Sequence, residues 1–200
     1  YPVNAKQPLK ETYLLNGKLE KTNEGYALAK LCGIKLAEFY KNKYNFDITT
    51  LIPCNLFGTN DKFFDDNSHF ISGIISKIYN AQEKKKKFVK LWGSGKPKRE
   101  IMLNTELSRV IKFVLENKIK EININVGTGV DYTIKQYANK IKKIMNYEGE
   151  IIWDTSMPDG IKRKLLDITL LKKYKFQFKH NTEDGLKLVV KQFLDDLNSK

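Results

Sequence analysis

The sequence predicts an α/β protein built on a parallel sheet with covering helices. Two observations carry this. Short apolar or β-branched runs alternate with longer stretches of helical period along the 200 residues. A proline or glycine then stops several of the runs, as Pro53 and Gly127 do. Open parallel sheets bind their ligands at such strand ends.

Residues 1–21 read as a loop, broken by Pro2, Pro8, Asn16 and Gly17. A long helix follows, with Thr22 or Asn23 as cap and Glu24 at the positive end of the dipole. Leu28, Leu31, Ile34, Leu36 and Phe39 form its broad apolar stripe, with Lys35, Lys41 and Lys43 mostly off it. Residues 47–52 suit a buried strand that Pro53 ends, and Asn55-Leu-Phe-Gly58 lies just beyond. A helix over 68–82 places Phe70, Ile71, Ile74, Ile75 and Ile78 on one side. Residues 88–92 and 100–103 read as strands flanking a hairpin-type turn at 93–97. Asn104 or Thr105 caps a helix to about Asn117. A strand over 121–126 leaves through Gly127-Thr-Gly129. Then come a helix over 133–145, a strand over 150–153 and an amphipathic helix over 182–198. No internal repeat or low-complexity linker is present.

Hydrophobic content of 41% supports a packed core, and no apolar run is long enough for a membrane span. The sequence starts at Tyr1 with no initiator Met and no signal peptide, so it is expected to be cut from a longer protein. Cys32 and Cys54 show no disulfide or metal pattern, which fits a reducing cytoplasm. The net charge of +13 is mostly lysine spread along the chain. Its one block, Lys84 to Lys87, reads as a solvated loop between two elements. His180 has no informative context and reads as surface.

Tyr26 and Lys30 stand one helical turn apart on one face. A free phenol titrates near ~10. A neighbouring ammonium favours the phenolate, which would let Tyr26 exchange a proton with a carbonyl or carbinol oxygen. This is the only Tyr-x-x-x-Lys pair among ten tyrosines. A surface Tyr beside a solvated Lys is the plain structural alternative.

Further stretches match a known pattern in order: Tyr1-Pro2, Ala5-Lys-Gln-Pro8, Tyr26-Ala-x-Ala-Lys30, Pro53-Cys-Asn-Leu-Phe-Gly58 and Asn67-Ser-His69. Trp92-Gly-Ser-Gly95-x-Pro97-x-Arg99-Glu100, Ile124 to Asp131, and Pro158-Asp-Gly160-x-x-Arg163 to Asp167 continue it. With these the chain resembles the extended short-chain dehydrogenase/reductase family and, within it, the GDP-L-fucose synthases.

The resemblance implies the C-terminal part of an NAD(P)-binding Rossmann fold plus a small α/β substrate-binding domain. Residues 1–60 and 106–130 would belong to the Rossmann sheet, and 61–105 and 131–200 to the substrate domain. It implies NADPH-dependent epimerisation at C3 and C5, then reduction at C4, of GDP-4-keto-6-deoxy-D-mannose. Tyr26 would be the proton donor, Lys30 its partner and a hold on the cofactor ribose, and His69 the second acid or base beside the cofactor. Pro53, Cys54, Asn55 and Leu56 would line the nicotinamide, with no nucleophilic role for Cys54. Lys77, Trp92, Arg99, Asp159 and Lys164 would contact the GDP-sugar, since a diphosphate favours cationic donors. No metal is implied. A cytoplasmic homodimer with no membrane or nucleic-acid partner is expected.

The chain departs from the family in lacking a Gly-x-x-Gly-x-x-Gly stretch and the Ser and Cys that precede the matched Tyr-Pro. The 200 residues alone are therefore expected to be inactive and to leave an unpaired sheet edge. Two other readings are a different nucleotide-sugar epimerase or dehydratase on the same scaffold, and a basic nucleic-acid-binding domain.

Overall fold

The computed structural model describes residues 1–65 and 68–199. Asn67 of the Asn67-Ser68-His69 stretch lies outside the described residues. After the N-terminal loop, with two short 3-10 turns, the order is α1 (Glu24–Tyr44), β1 (Thr50–Pro53), β2 (Asn55–Phe57) and α2 (Phe70–Glu83). It continues through β3 (Phe88–Trp92), β4 (Lys98–Leu103), α3 (Asn104–Glu116), β5 (Asn123–Val126) and β6 (Asp131–Thr133). Next are α4 (Ile134–Ile144), β7 (Glu150–Asp154), β8 (Arg163–Lys164), α5 (Thr169–Lys173) and α6 (Thr182–Asn198).

The strands form three small groups. β1 pairs β5 in parallel, with Thr50 opposite Asn123 and Pro53 opposite Val126. Pro53 closes its strand, and Cys54 N–H donates to the Val126 carbonyl at 2.8 Å. β4 is the hub: it pairs β2 and β8 in parallel and β6 antiparallel. β3 pairs β7 in parallel, from Phe88 opposite Glu150 to Trp92 opposite Asp154.

β3 and β4 therefore do not form the expected hairpin. The turn between them passes the chain from one sheet to another, and its glycines serve close approach. Gly93 and Gly95 have φ of +77° and +70°, and a Cβ on Gly95 would lie 2.7 Å from the Trp153 ring. Gly95→Ala is expected to cost about 1–3 kcal/mol, from the positive φ and the ring clash together. Urea denaturation reads it; an unchanged midpoint would mean that the turn relaxes freely.

Two apolar clusters hold the layers. One joins Ile71, Ile74, Ile75 and Ile78 of α2 to Val89 and Leu91 of β3, Tyr137 and Ile141 of α4, and Leu186, Val190 and Phe193 of α6. The other joins Ile124 and Val126 of β5 to Val110 and Val114 of α3, with Leu9, Leu166, Ile168 and Leu171. The Lys84 to Lys87 block is an exposed turn after α2.

Helix α1 corrects its expected stripe. Only Leu31 is buried, while Leu28, Leu36 and Phe39 are exposed. The stripe is wider than the surface that the described chain lays against it. Caps also differ in α3. The residue before it is Leu103, with no side-chain cap. Asn104 turns inward instead, so that a Cβ on Gly58 would come 2.2 Å from its side chain. At α4 the pattern is direct: Thr133 Oγ1 accepts from Gln136 N–H at 3.1 Å, and Gln136 Oε1 accepts from Thr133 N–H at 2.8 Å.

His180 is not a free surface residue. Its Nδ1 lies 2.8 Å from Glu106 Oε1, whose side chain is fully buried at the start of α3. Glu106 also accepts from the Lys179 and His180 backbone N–H groups and from Arg109. β2, β6, β8 and α5 had no sequence signal, because two to five residues cannot show a period.

Candidate active site

Helix α1 sets Tyr26 and Lys30 on one face, with Lys30 Nζ 5.3 Å from the Tyr26 ring centroid. Tyr26 is 62% exposed. Both line a cavity of about 590 Å³. Its apolar side includes Leu31, Ile34, Leu51 and Ile52. Pro53, Cys54 and Asn55 bring the end of β1 to the same space, and Glu100, Arg163 and Lys164 close it from β4 and β8. This is the strand-end position where parallel sheets take ligands.

The basic groups differ in freedom. Arg163 is committed: its Nε donates to Asp131 Oδ2 at 2.5 Å and its Nη2 to Oδ1 at 3.1 Å. Among the described residues Lys164 makes no such pair. Dehydration at the cavity wall, then the charge of Arg99, pull its ammonium below the ordinary lysine value, against the opposing effect of Glu20. Its side chain still reaches solvent. Arg99 donates from Nη1 to the Lys98 and Ile161 carbonyls at 2.8 and 2.7 Å, and burial lowers its value too.

Cys54 packs against the β5 cluster. Burial, then the Glu100 charge, push its thiol well above the usual range, so a reactive thiolate is disfavoured there. Leu56 lies in β2, packed against the same cluster, and does not line the cavity.

The other anticipated residues gather elsewhere. Lys77 Nζ stands 4.7 Å from the ring centroid of Trp92, which is 62% exposed. Asp159 accepts from Ser94 N–H at 2.6 Å and from Ser94 Oγ at 2.7 Å, so both its oxygens brace the glycine turn. Those bonds hold its carboxyl below the usual value. Arg99 stands opposite Lys164 in the β4–β8 pairing and does not itself line the cavity. His69 is not brought to the cavity. Its exposed ring has Nδ1 3.1 Å from Asp61 Oδ1, at the start of α2. Among the described residues, no His/Cys/Asp/Glu group can hold a metal and no helix is long and apolar enough to cross a membrane.

Sequence reasoning assigned no role to Glu100, Gln7 or Glu20. A single carboxylate opening the apolar run Ile101-Met-Leu103 was the available signal for Glu100. Gln7 lay in the matched Ala5-Lys-Gln-Pro8 stretch without a role of its own, and Glu20 gave no signal; long-range folding brings both to the cavity.

The model of the NAD dependent epimerase/dehydratase family matches residues 1–127. The chain belongs to that family. This epimerase/dehydratase-family chain is 42% identical over 201 residues to GDP-L-colitose synthase of Yersinia pseudotuberculosis, covering 100% of this chain and 65% of that protein. It is 40% identical over 205 residues to GDP-L-fucose synthase of Escherichia coli (strain K12), covering 98% and 64%. Its fold is similar to a solved GDP-L-fucose synthetase from Naegleria fowleri bound to NADP, with TM-score 0.89, 27% identity and coverage of 100% and 64%. The chain spans less than two thirds of the length of each of these relatives.

Proposed function

We propose that the full-length protein is an NADPH-dependent enzyme that epimerises C3 and C5 of GDP-4-keto-6-deoxy-D-mannose and reduces C4, giving GDP-L-fucose. The observation that carries this is the placement of Tyr26 and Lys30 over the cavity that the end of β1 and Lys164 also line. The cavity fits a nicotinamide: an apolar wall for a flat ring, with a few polar groups to orient it. Lys30 and the backbone from Pro53 to Asn55 would hold the cofactor, which supplies the hydride when bound.

Tyr26 delivers its hydroxyl proton to the C4 carbonyl oxygen as the carbonyl is reduced. The Lys30 ammonium stabilises the phenolate left behind. In the epimerisation steps the same hydroxyl steadies the enolate oxygen. His69 enters as the second acid or base on its Ser68-His69 motif alone. Lys164 and Arg99 face the diphosphate, while Lys77 and Trp92 offer a cation and a flat face to the rest of the nucleotide. Asp159 serves by bracing the turn that follows Trp92.

Residues 1–60 and 106–130 form the cofactor side, and 61–105 and 131–200 the sugar side. A cytoplasmic homodimer follows by family analogy.

The test is turnover of GDP-4-keto-6-deoxy-D-mannose with NADPH by the full-length protein. GDP-L-fucose should appear with stoichiometric NADPH oxidation. No turnover, alongside conversion of a UDP-sugar, overturns the reading in favour of another nucleotide-sugar enzyme. A second reading, GDP-L-colitose as product, rests on the 42% identity to that synthase; formation of GDP-L-colitose and not GDP-L-fucose by the full-length protein would favour it.

A further inference from the structure

Glu100 is a carboxylate where charge is costly. It is 1% exposed and precedes Ile101, Met102 and Leu103 in β4. No ion pair neutralises it among the described residues. Every hydrogen bond it makes is from a donor elsewhere in the fold. Oε1 accepts from Gly129 N–H at 2.6 Å and from Thr128 Oγ1 at 3.4 Å, and Oε2 accepts from Leu166 N–H at 2.9 Å. Burial pushes its carboxyl up, and these donors act against that. Gly127 is pressed close: a Cβ there would lie 2.4 Å from Glu100 Oε1.

What these bonds hold is the segment that carries Lys164. β8 is only two residues long, with Lys98 opposite Arg163 and Arg99 opposite Lys164. Beyond it the chain is kept in place by three acceptors in succession. Leu165 N–H donates to Gln7 Oε1 at 2.9 Å, Leu166 N–H to Glu100 Oε2, and Asp167 N–H to the Leu9 carbonyl at 2.8 Å. Glu100 is the one that ties the segment to the same strand as Arg99. A neutral amide cannot replace it. Gln must point its NH₂ at one of the two backbone N–H donors and leave that donor unsatisfied.

We propose that Glu100 is a positioning residue of the candidate site, whose carboxylate fixes the 127–129 turn and the 163–167 segment so that Lys164 stands beside Arg99 as a paired anchor for a nucleoside diphosphate. This rests on the function proposed above for the anchor, while the bracing itself stands on the geometry alone.

The test uses the full-length protein, with GDP as probe and calorimetry as readout, on wild type, Glu100→Gln, Lys164→Ala and the double variant. Amide exchange of Leu166 and Gly129 is followed by NMR in parallel. Glu100→Gln should remain folded, bind GDP roughly tenfold more weakly, and exchange the Leu166 amide faster. The double variant should bind no more weakly than the weaker single one, because both act through one ammonium. A purely structural brace would not produce that coupling. GDP affinity within about twofold of wild type in Glu100→Gln, or fully additive losses, would overturn the proposal.

If Glu100→Gln does not fold, Gln7→Leu replaces it in the cycle. It removes the adjacent acceptor and should give a smaller loss with the same coupling to Lys164; additivity would again overturn the proposal. Failure of wild type to bind GDP overturns the functional reading instead. The bracing is then judged on exchange alone, and unchanged Leu166 protection in the variant rejects it.

Discussion

On the proposed function, Tyr26→Phe should lower ketone reduction by the full-length protein by about 10²–10⁴-fold, the range that one positioned proton donor contributes. The fold should not notice. The ring is 62% exposed, and among the described residues its hydroxyl makes no hydrogen bond. The remaining aromatic face still lies near the Lys30 ammonium, so cofactor affinity should stay near wild type. The loss therefore appears in kcat, with Kd for NADPH and the melting temperature unchanged. NADPH consumption with the keto-sugar measures it. Near-wild-type turnover would remove Tyr26 from the chemistry and, with it, the central support of the proposed function.

Glu106→Ala should destabilise the protein by about 3–5 kcal/mol, the cost of removing one partner from a buried ionic cluster. The carboxylate is fully buried and accepts from Arg109 at 2.7 Å, from the His180 ring at 2.8 Å and from two backbone N–H groups at 3.1 and 3.2 Å. Its removal leaves those donors without an acceptor and frees the loop that leads into α6. The pH dependence has a definite sign. Burial alone would raise the Glu106 value, but the bonds from His180, Lys179 and Arg109 outweigh it and leave the folded value below the ordinary one. The unfolded chain then takes up its proton first. The stabilisation is fully present above the unfolded value of ~4.3 and is lost as pH falls through the lower folded value. Urea denaturation between about pH 3 and 7 should show a flatter acid limb in Glu106→Ala than in wild type. Parallel limbs would mean that this carboxyl titrates alike in the folded and the unfolded chain.

How far the sequence could be read is visible in particular residues. Helix α6 runs over the residues its pattern marks, and α4 starts at the Thr133 capping box, because both signals are local and repeat within one or two turns. Pro53 closes β1 as a residue with no N–H should. The glycines at 93 and 95 marked a turn but not its partners. A positive φ is a local demand, whereas the pairing of β3 with β7 rather than β4 joins residues about sixty positions apart. The stripe on α1 gave the helix but not its burial, which depends on what packs against it.

The same division holds for the site. Tyr26 and Lys30 needed only helical spacing to be placed side by side, so the sequence alone determined that pair, the helix that bears it and the α/β alternation around it. The tertiary structure alone decided that Lys164 faces their cavity, that Glu100 and Gln7 brace its segment, that His180 clasps Glu106 and that His69 lies apart. Spacing along a helix is set by bonds four residues long. Contacts across 66 or 74 residues exist only once strands have chosen their neighbours and buried groups have found the donors that make their burial tolerable.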